Sequence, residues 1–134
     1  MFKGAMTAII TPFTEKGSLD EASFRKLVDF QIKEGIDGIV PCGTTGESPS
    51  LDYEEHERVI EIAIDASKGR VPVIAGTGSN STKEAVKMTS HAADAGADAS
   101  LQVCPYYNKP TQEGLYMHFS EIAKSVEIPI IISR

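Results

Sequence analysis

Five short apolar runs separated by four capped, helix-period segments constrain this chain more than any other feature of its sequence. The runs span residues 5–11, 38–41, 71–75, 99–104 and 128–132. They are near-continuously apolar rather than alternating, which marks strands covered on both faces. The segments between them carry their own punctuation. Ser18-x-x-Glu21 reads as a capping box ahead of Phe24, Leu27, Val28 and Ile32, with Gly35 as the stop. Asp52-x-x-Glu55 opens the next, with Val59, Ile60, Ala63 and Ile64 on one face and Gly69 at its end. Ser81-x-x-Glu84 begins a third that runs through Ala85, Met88 and Ala92 to Gly96, and Thr111 begins a fourth with Leu115, Phe119, Ile122, Ala123 and Val126. Cap, period and stop agree each time, so four helices are predicted.

The pattern is therefore βαβαβαβαβ, and crossovers of that kind build a parallel α/β sheet. An open doubly wound sheet and a closed (β/α)₈ barrel both fit it. Length favours the open sheet, because a barrel takes on the order of 250 residues and this chain has 134. The last apolar run favours a fragment, because only Ser133-Arg134 follow it and no covering helix does. No linker or low-complexity tract divides the chain, so one domain over residues 1–134 is expected.

A formal charge of −6 argues against nucleic acid or an anionic membrane as partner, since both need a basic footprint. No apolar run is long enough to span a bilayer, and the short apolar stretch after Met1-Phe2-Lys3-Gly4 is not expected to act as a secretory signal. Cys42 and Cys104 read as small buried hydrophobes in a reducing cytosol, and with few scattered histidines no metal site is expected.

In parallel α/β folds the working groups gather where strands end and helices begin. Here the elaborate segments fall there, whereas the opposite connections, such as Glu34-Gly35-Ile36-Asp37, are brief and plain. Gly43-Thr44-Thr45-Gly46-Glu47-Ser48 follows the second run, and its glycines and hydroxyls suit a small carboxylate or phosphate. A turn that merely needs glycine is the alternative. It is not a Walker loop, because Thr44 stands where the lysine is required, and Gly76-x-Gly78 lacks the third glycine of a dinucleotide fingerprint. Tyr106 and Tyr107 follow the fourth run. Adjacent aromatics in a strand point to opposite sides, so one is expected to bury and the other to project. Thr44 and Tyr107 are expected on neighbouring strand ends, within range of a hydroxyl relay.

The Gly43–Ser48 hexapeptide resembles the dihydrodipicolinate synthase family of pyruvate-dependent class I aldolases when taken with a second motif, Pro105-Tyr106-Tyr107-Asn108-Lys109-Pro110-x-Gln112-Glu113-Gly114-Leu115-Tyr116-x-His118-Phe119. Residues 4–13 and 71–80 match as well, so the resemblance runs along essentially the whole chain to Ile132. Related pyruvate lyases, such as N-acetylneuraminate lyase, share the two-glycine turn, but they carry serine where Thr44 stands and lack the second motif.

The resemblance implies a (β/α)₈ barrel cut to about its first four and a half βα units, in a cytoplasmic enzyme without cofactor. It implies condensation of pyruvate with aspartate semialdehyde, early in lysine and diaminopimelate synthesis, through a Schiff base on a strand-six lysine. Gly43, Thr44 and Thr45 would hold the pyruvate carboxylate. Thr44 would bridge a proton relay between two tyrosines, one of them Tyr107, which would reach a partner subunit's site across a homo-oligomer interface. A lysine-feedback pocket would match Pro49, His56, Asn80, Glu84 and Tyr106, although His56 read from position alone is an exposed first-turn residue. His91 and His118 read as helix-surface or packing residues.

The chain departs from the family where the second relay tyrosine is due, since it has Ser133 there, and the Schiff-base lysine would lie beyond Arg134. Its own lysines fall in termini, turns or helix surfaces, and Lys109 belongs to the tyrosine segment. The chain alone is therefore expected to make no Schiff base efficiently. A different pyruvate aldolase and a non-catalytic half-barrel binding or assembly module are the competing readings.

Overall fold

The computed structural model describes residues 2–133, and Arg134 lies outside them. The chain alternates β1 (Met6–Ala8), α1 (Glu21–Lys33), β2 (Gly38–Val40), α2 (Tyr53–Ser67), β3 (Ile74–Gly76), α3 (Thr82–Ala95), β4 (Ala99–Val103), α4 (Gln112–Ser125) and β5 (Ile130–Ser133), with a 3₁₀ turn at Ser48–Ser50. The strands are shorter than the apolar runs. Pro41 directly follows β2 and Pro129 directly precedes β5, and proline has no N–H to give to a ladder.

Three of the four helix starts form as their sequence dictates. Asp52 and Glu55 complete a reciprocal capping box, and Ser81 and Thr111 each accept the N–H three residues on. The first is different. Asp20 caps α1, taking the Ser23 N–H at 3.0 Å. Ser18 is diverted because its carbonyl accepts from Thr14 N in the turn behind the Phe13–Leu19 bridge, while the Glu21 carboxylate pairs with Arg58. At its far end α2 stops at Lys68, which takes the left-handed turn one residue before Gly69.

All pairing between the strands is parallel and follows chain order. β1 pairs with β2, β3 with β4 and β4 with β5, and an Ile39–Val73 bridge links β2 to β3. Each helix packs on the next: α1 on α2, α2 on α3, α3 on α4. A doubly wound sheet reverses its strand order at a switch point. This order does not reverse, so the open doubly wound alternative is set aside.

Successive strand residues face opposite layers. Ile39, Val73 and Ala75 meet Phe24, Val28, Val59, Ile60 and Ala63 in the main core beneath the helices. Val40, Ile74 and Ala99 turn the other way, towards Met6, Leu101 and Ile131. Each large aliphatic side chain fully buried in the first layer contributes roughly 1.5–3 kcal/mol. Ile62 is buried as well, because α2 is covered by a helix on each flank. Between β3, β4 and α3 the layer turns polar: Thr77, Thr89, Ser100 and Gln102 are fully buried and hydrogen-bonded to one another at 2.7–3.0 Å.

The short connections that looked plain in sequence do specific work. Asp37 and Asp98 each follow a glycine with positive φ by two residues. The Asp37 carboxylate accepts from Ala5 N at 2.8 Å and that of Asp98 from Val73 N at 2.8 Å, while the backbone of each aspartate donates to the same strand. Among the described residues no helix is long and apolar enough to cross a membrane.

Gly76 and Gly78 are needed for close approach. A Cβ on Gly76 would overlap the Cys42 carbonyl and lie 2.8 Å from Gly43 N, and one on Gly78 would run into the Val103 backbone. Gly35, by contrast, has open space around it and only a left-handed φ of +91°. Gly76→Ala should therefore cost roughly 3 kcal/mol from overpacking, against roughly 1–2 kcal/mol for Gly35→Ala. Urea midpoints of the two variants check the order, and a smaller loss at Gly76 would contradict the packing seen here.

Candidate functional site

The strands' C-terminal ends converge on two adjoining clefts. The first lies over the sheet between Cys42–Thr44, Gly76 and the side chains of Leu101, Val103 and Ser133. The second opens between the 3₁₀ turn, α2 and α3, and is lined by Pro49, Tyr53, His56, Ser79, Glu84 and Tyr106, among others. Ser48, Pro49, Gly78 and Tyr106 belong to both.

The turn after β2 is wound tightly. Cys42 and Glu47 sit at φ 55° and 56°. Gly43 and Thr44 carbonyls accept the N–H groups of Gly46, Glu47 and Ser48, and the buried Thr11 hydroxyl donates to the Gly46 carbonyl at 2.7 Å. These bonds consume the second half of the turn. The N–H groups of Thr44 and Thr45 take no protein acceptor among the described residues, beside an exposed Thr44. Unspent N–H groups in a tight turn attract a small anion. The neighbouring Cys42 thiol is buried and donates to the His56 carbonyl at 3.7 Å, and burial pushes its pKa up, so it stays a neutral thiol. Cys104 is only half-buried.

In the second cleft His56 is buried, not an exposed first-turn residue, because α2 lies between its neighbours with this face turned to β3. Its Nε2–H donates to the Gly76 carbonyl at 2.9 Å, which leaves Nδ1 as a buried lone pair without a protein partner. Burial lowers its pKa, and the Gly76 carbonyl partly offsets that. Ser79 donates to the Glu84 carboxylate at 2.9 Å. Desolvation first, then the facing Glu84 carboxylate, pushes the Tyr53 hydroxyl's pKa up, and the Lys87 ammonium lies 4.4 Å from the Tyr53 ring centre.

Of the residues singled out from sequence, Gly43 and Thr44 line the first cleft, and Pro49, His56, Glu84 and Tyr106 line the second. Thr45 lines neither. Asn80 does not line the second cleft, and its carbonyl instead accepts from Asn108 Nδ2 at 3.1 Å. Tyr106 and Tyr107 are not an alternating strand pair: β4 ends at Val103 and Tyr107 has φ 70°, so neither ring is buried and Tyr107 is 94% exposed. Thr44 and Tyr107 follow strands separated by β3, and no hydrogen bond joins them. Every lysine is exposed and none lines either cleft. Tyr53 and Ser79 are additions; each sits one or two residues from a predicted helix cap, the signal that would have found them.

Strand order and rim together define a sequentially wound, parallel α/β protein with an anion-suited turn at the strands' C-terminal ends. Residues 1–133 match the dihydrodipicolinate synthetase family, and the chain belongs to that family. It is 66% identical over 131 residues to the 4-hydroxy-tetrahydrodipicolinate synthase of Syntrophus aciditrophicus (strain SB), covering 98% of this chain and 45% of that protein. The crystal structure of the chloride-inhibited dihydrodipicolinate synthase from Acinetobacter baumannii, complexed with pyruvate, superposes with a TM-score of 0.97 at 51% identity, over 98% of this chain and 45% of that one. The enzyme from Cyanidioschyzon merolae with lysine bound gives 0.95 at 40% identity, over 98% and 45%. The chain thus spans about 45% of the length of the curated relatives it matches.

The buried histidines set a pH response. Burial depresses the pKa of both His56 and His118 below the ordinary 6.5. The unfolded chain therefore binds protons that the folded chain refuses. Stability is fully present above about pH 6.5 and falls as pH drops below it. Urea midpoints should decline from pH 7 towards pH 5, and His56→Gln should flatten the decline; an unchanged slope would assign it to other groups.

Proposed function

We propose that these 134 residues form the first half of a (β/α)₈ barrel, about four and a half βα units. On this reading the complete protein is a cytoplasmic enzyme that condenses pyruvate with L-aspartate semialdehyde to 4-hydroxy-tetrahydrodipicolinate, in lysine and diaminopimelate synthesis. The observation that carries the reading is the rim turn, where Thr44 on the first cleft and Thr45 just outside its lining keep free N–H groups in a chain of this family.

The turn's N–H groups and the Thr45 hydroxyl hold the pyruvate carboxylate, with Gly43 giving the backbone room to approach. The Thr44 hydroxyl, which both donates and accepts, passes protons in a relay with Tyr107. Tyr107 is exposed because it serves a second subunit of a homo-oligomer. The amine that forms the Schiff base is the family's strand-six lysine, outside these residues. A lysine must be desolvated to become a nucleophile at neutral pH. All nine lysines here are exposed, so the chain alone forms no Schiff base.

The second cleft binds free lysine as a feedback effector. The Glu84 carboxylate pairs with an ammonium, His56 Nδ1 offers its unpaired acceptor, Pro49 and Tyr106 line the rest, and Asn80 stands just outside the lining, next to Ser79.

Two measurements test this. The purified chain treated with pyruvate and borohydride should keep its mass of 14.4 kDa; a one-pyruvate adduct would overturn the assignment of the amine. When the chain is extended with the second half of the S. aciditrophicus relative, pyruvate should label one lysine in the added half. Thr44→Val should then lower kcat by roughly 10²–10³-fold, and Glu84→Gln should abolish lysine binding by calorimetry. Full activity of Thr44→Val, or a preference for another aldehyde, would sink the reading.

A further inference from the structure

The segment from Pro105 to Pro110 has an unusual backbone. Tyr107 and Lys109 both lie in the left-handed region, at φ 70° and 44°. For a side chain of that size the conformation costs roughly 1–2 kcal/mol, and it persists only where the surroundings over-determine it. The two prolines fix φ at the ends of the segment but cannot choose the conformation between them.

Asn108 lies between the two strained residues. Its backbone N–H donates to the Tyr106 carbonyl at 2.9 Å, and its side-chain Nδ2 donates to the Asn80 carbonyl at 3.1 Å. Among the described residues this second bond is the only hydrogen bond from residues 105–110 to another connection of the fold. The acceptor is well anchored, since Asn80 lies between Ser79, which holds Glu84, and Ser81, which caps α3. A clasp on that carbonyl ties the tyrosine segment to the start of a helix.

We propose that Asn108 is the positioning residue of this rim, and that its clasp on Asn80 holds Tyr107 in the left-handed conformation that projects its ring from the strand ends. The same clasp keeps Tyr106 between the two clefts it lines. Its significance for catalysis rests on the proposed role of Tyr107, but the clasp itself is a property of this chain.

The test is by NMR on the 134-residue chain. In the unsubstituted chain the Tyr107 Cα and Cβ shifts should be those of a left-handed residue, and the Asn108 side-chain amide should exchange at least about threefold more slowly than a free amide. Asn108→Asp keeps the shape and removes the donor. It should move the Tyr107 shifts to extended or averaged values while the urea midpoint stays unchanged. Retained left-handed shifts in Asn108→Asp would overturn the proposal. If that variant fails to fold, the exchange rate decides: a free-amide rate in the unsubstituted chain overturns the clasp, and a slowed rate supports it. The role of Tyr107 in proton transfer stands or falls separately, on turnover of Tyr107→Phe in the extended protein, to which these spectra are blind.

Discussion

Parallel register is the constraint on which everything at the rim depends. Two carboxylates hold it from the opposite end of the sheet: Asp37 on Ala5 N and Asp98 on Val73 N. Side chains alternate with a period of two, so a slip of one residue would exchange the two faces of a strand. Ile39 would leave the helix layer and Val40 would enter it; Gly76 would no longer face the Cys42 carbonyl. The tight turn after β2 and the clefts beside it sit where they do because the far ends of the strands are pinned.

Close backbone approach is the second requirement. Gly76 and Gly78 let neighbouring chains come nearer than any side chain would permit. The Gly76 carbonyl then becomes the acceptor for His56, which ties the wall of the second cleft to the floor of the first. Thr11, buried on the continuation of β1, reaches the Gly46 carbonyl from the other side. Thr11 beyond β1, the turn after β2, His56 on α2 and Gly76 at the end of β3 are thus tied by hydrogen bonds into one rim.

Much of the fold was legible in the sequence because its signals are local. The caps at Asp52, Ser81 and Thr111 need only a few residues to specify a helix start, and the apolar runs mark buried strands wherever they pair. What escaped depends on contacts between distant segments. Ser18 has the right spacing for a cap but is used in the Phe13–Leu19 turn. His56 looks like a surface residue until α2 is set against β3. The tyrosine pair reads as a strand continuation, yet Tyr107 adopts a positive φ beside Asn108, whose side chain donates to the Asn80 carbonyl 28 residues earlier. Of the candidate site, the turn and four residues of the second cleft's lining, Pro49, His56, Glu84 and Tyr106, were readable from motif resemblance, whereas Asn80's engagement through its carbonyl was not, because sequence reports side chains and this contact uses backbone.

The unreversed strand order has a consequence for how such a chain comes into being. Each strand finds its partner in the one made just before it, and each helix docks on its predecessor. Ribosomes release roughly 5–20 residues per second, while a short loop closes and a helix forms in about a microsecond or less. Every βα unit therefore has ample time to settle on the growing edge before the next one emerges. A doubly wound sheet must wait for a later strand to insert beside the first; here assembly can proceed in the direction of synthesis, with the newest strand as the only edge still seeking a neighbour on that side.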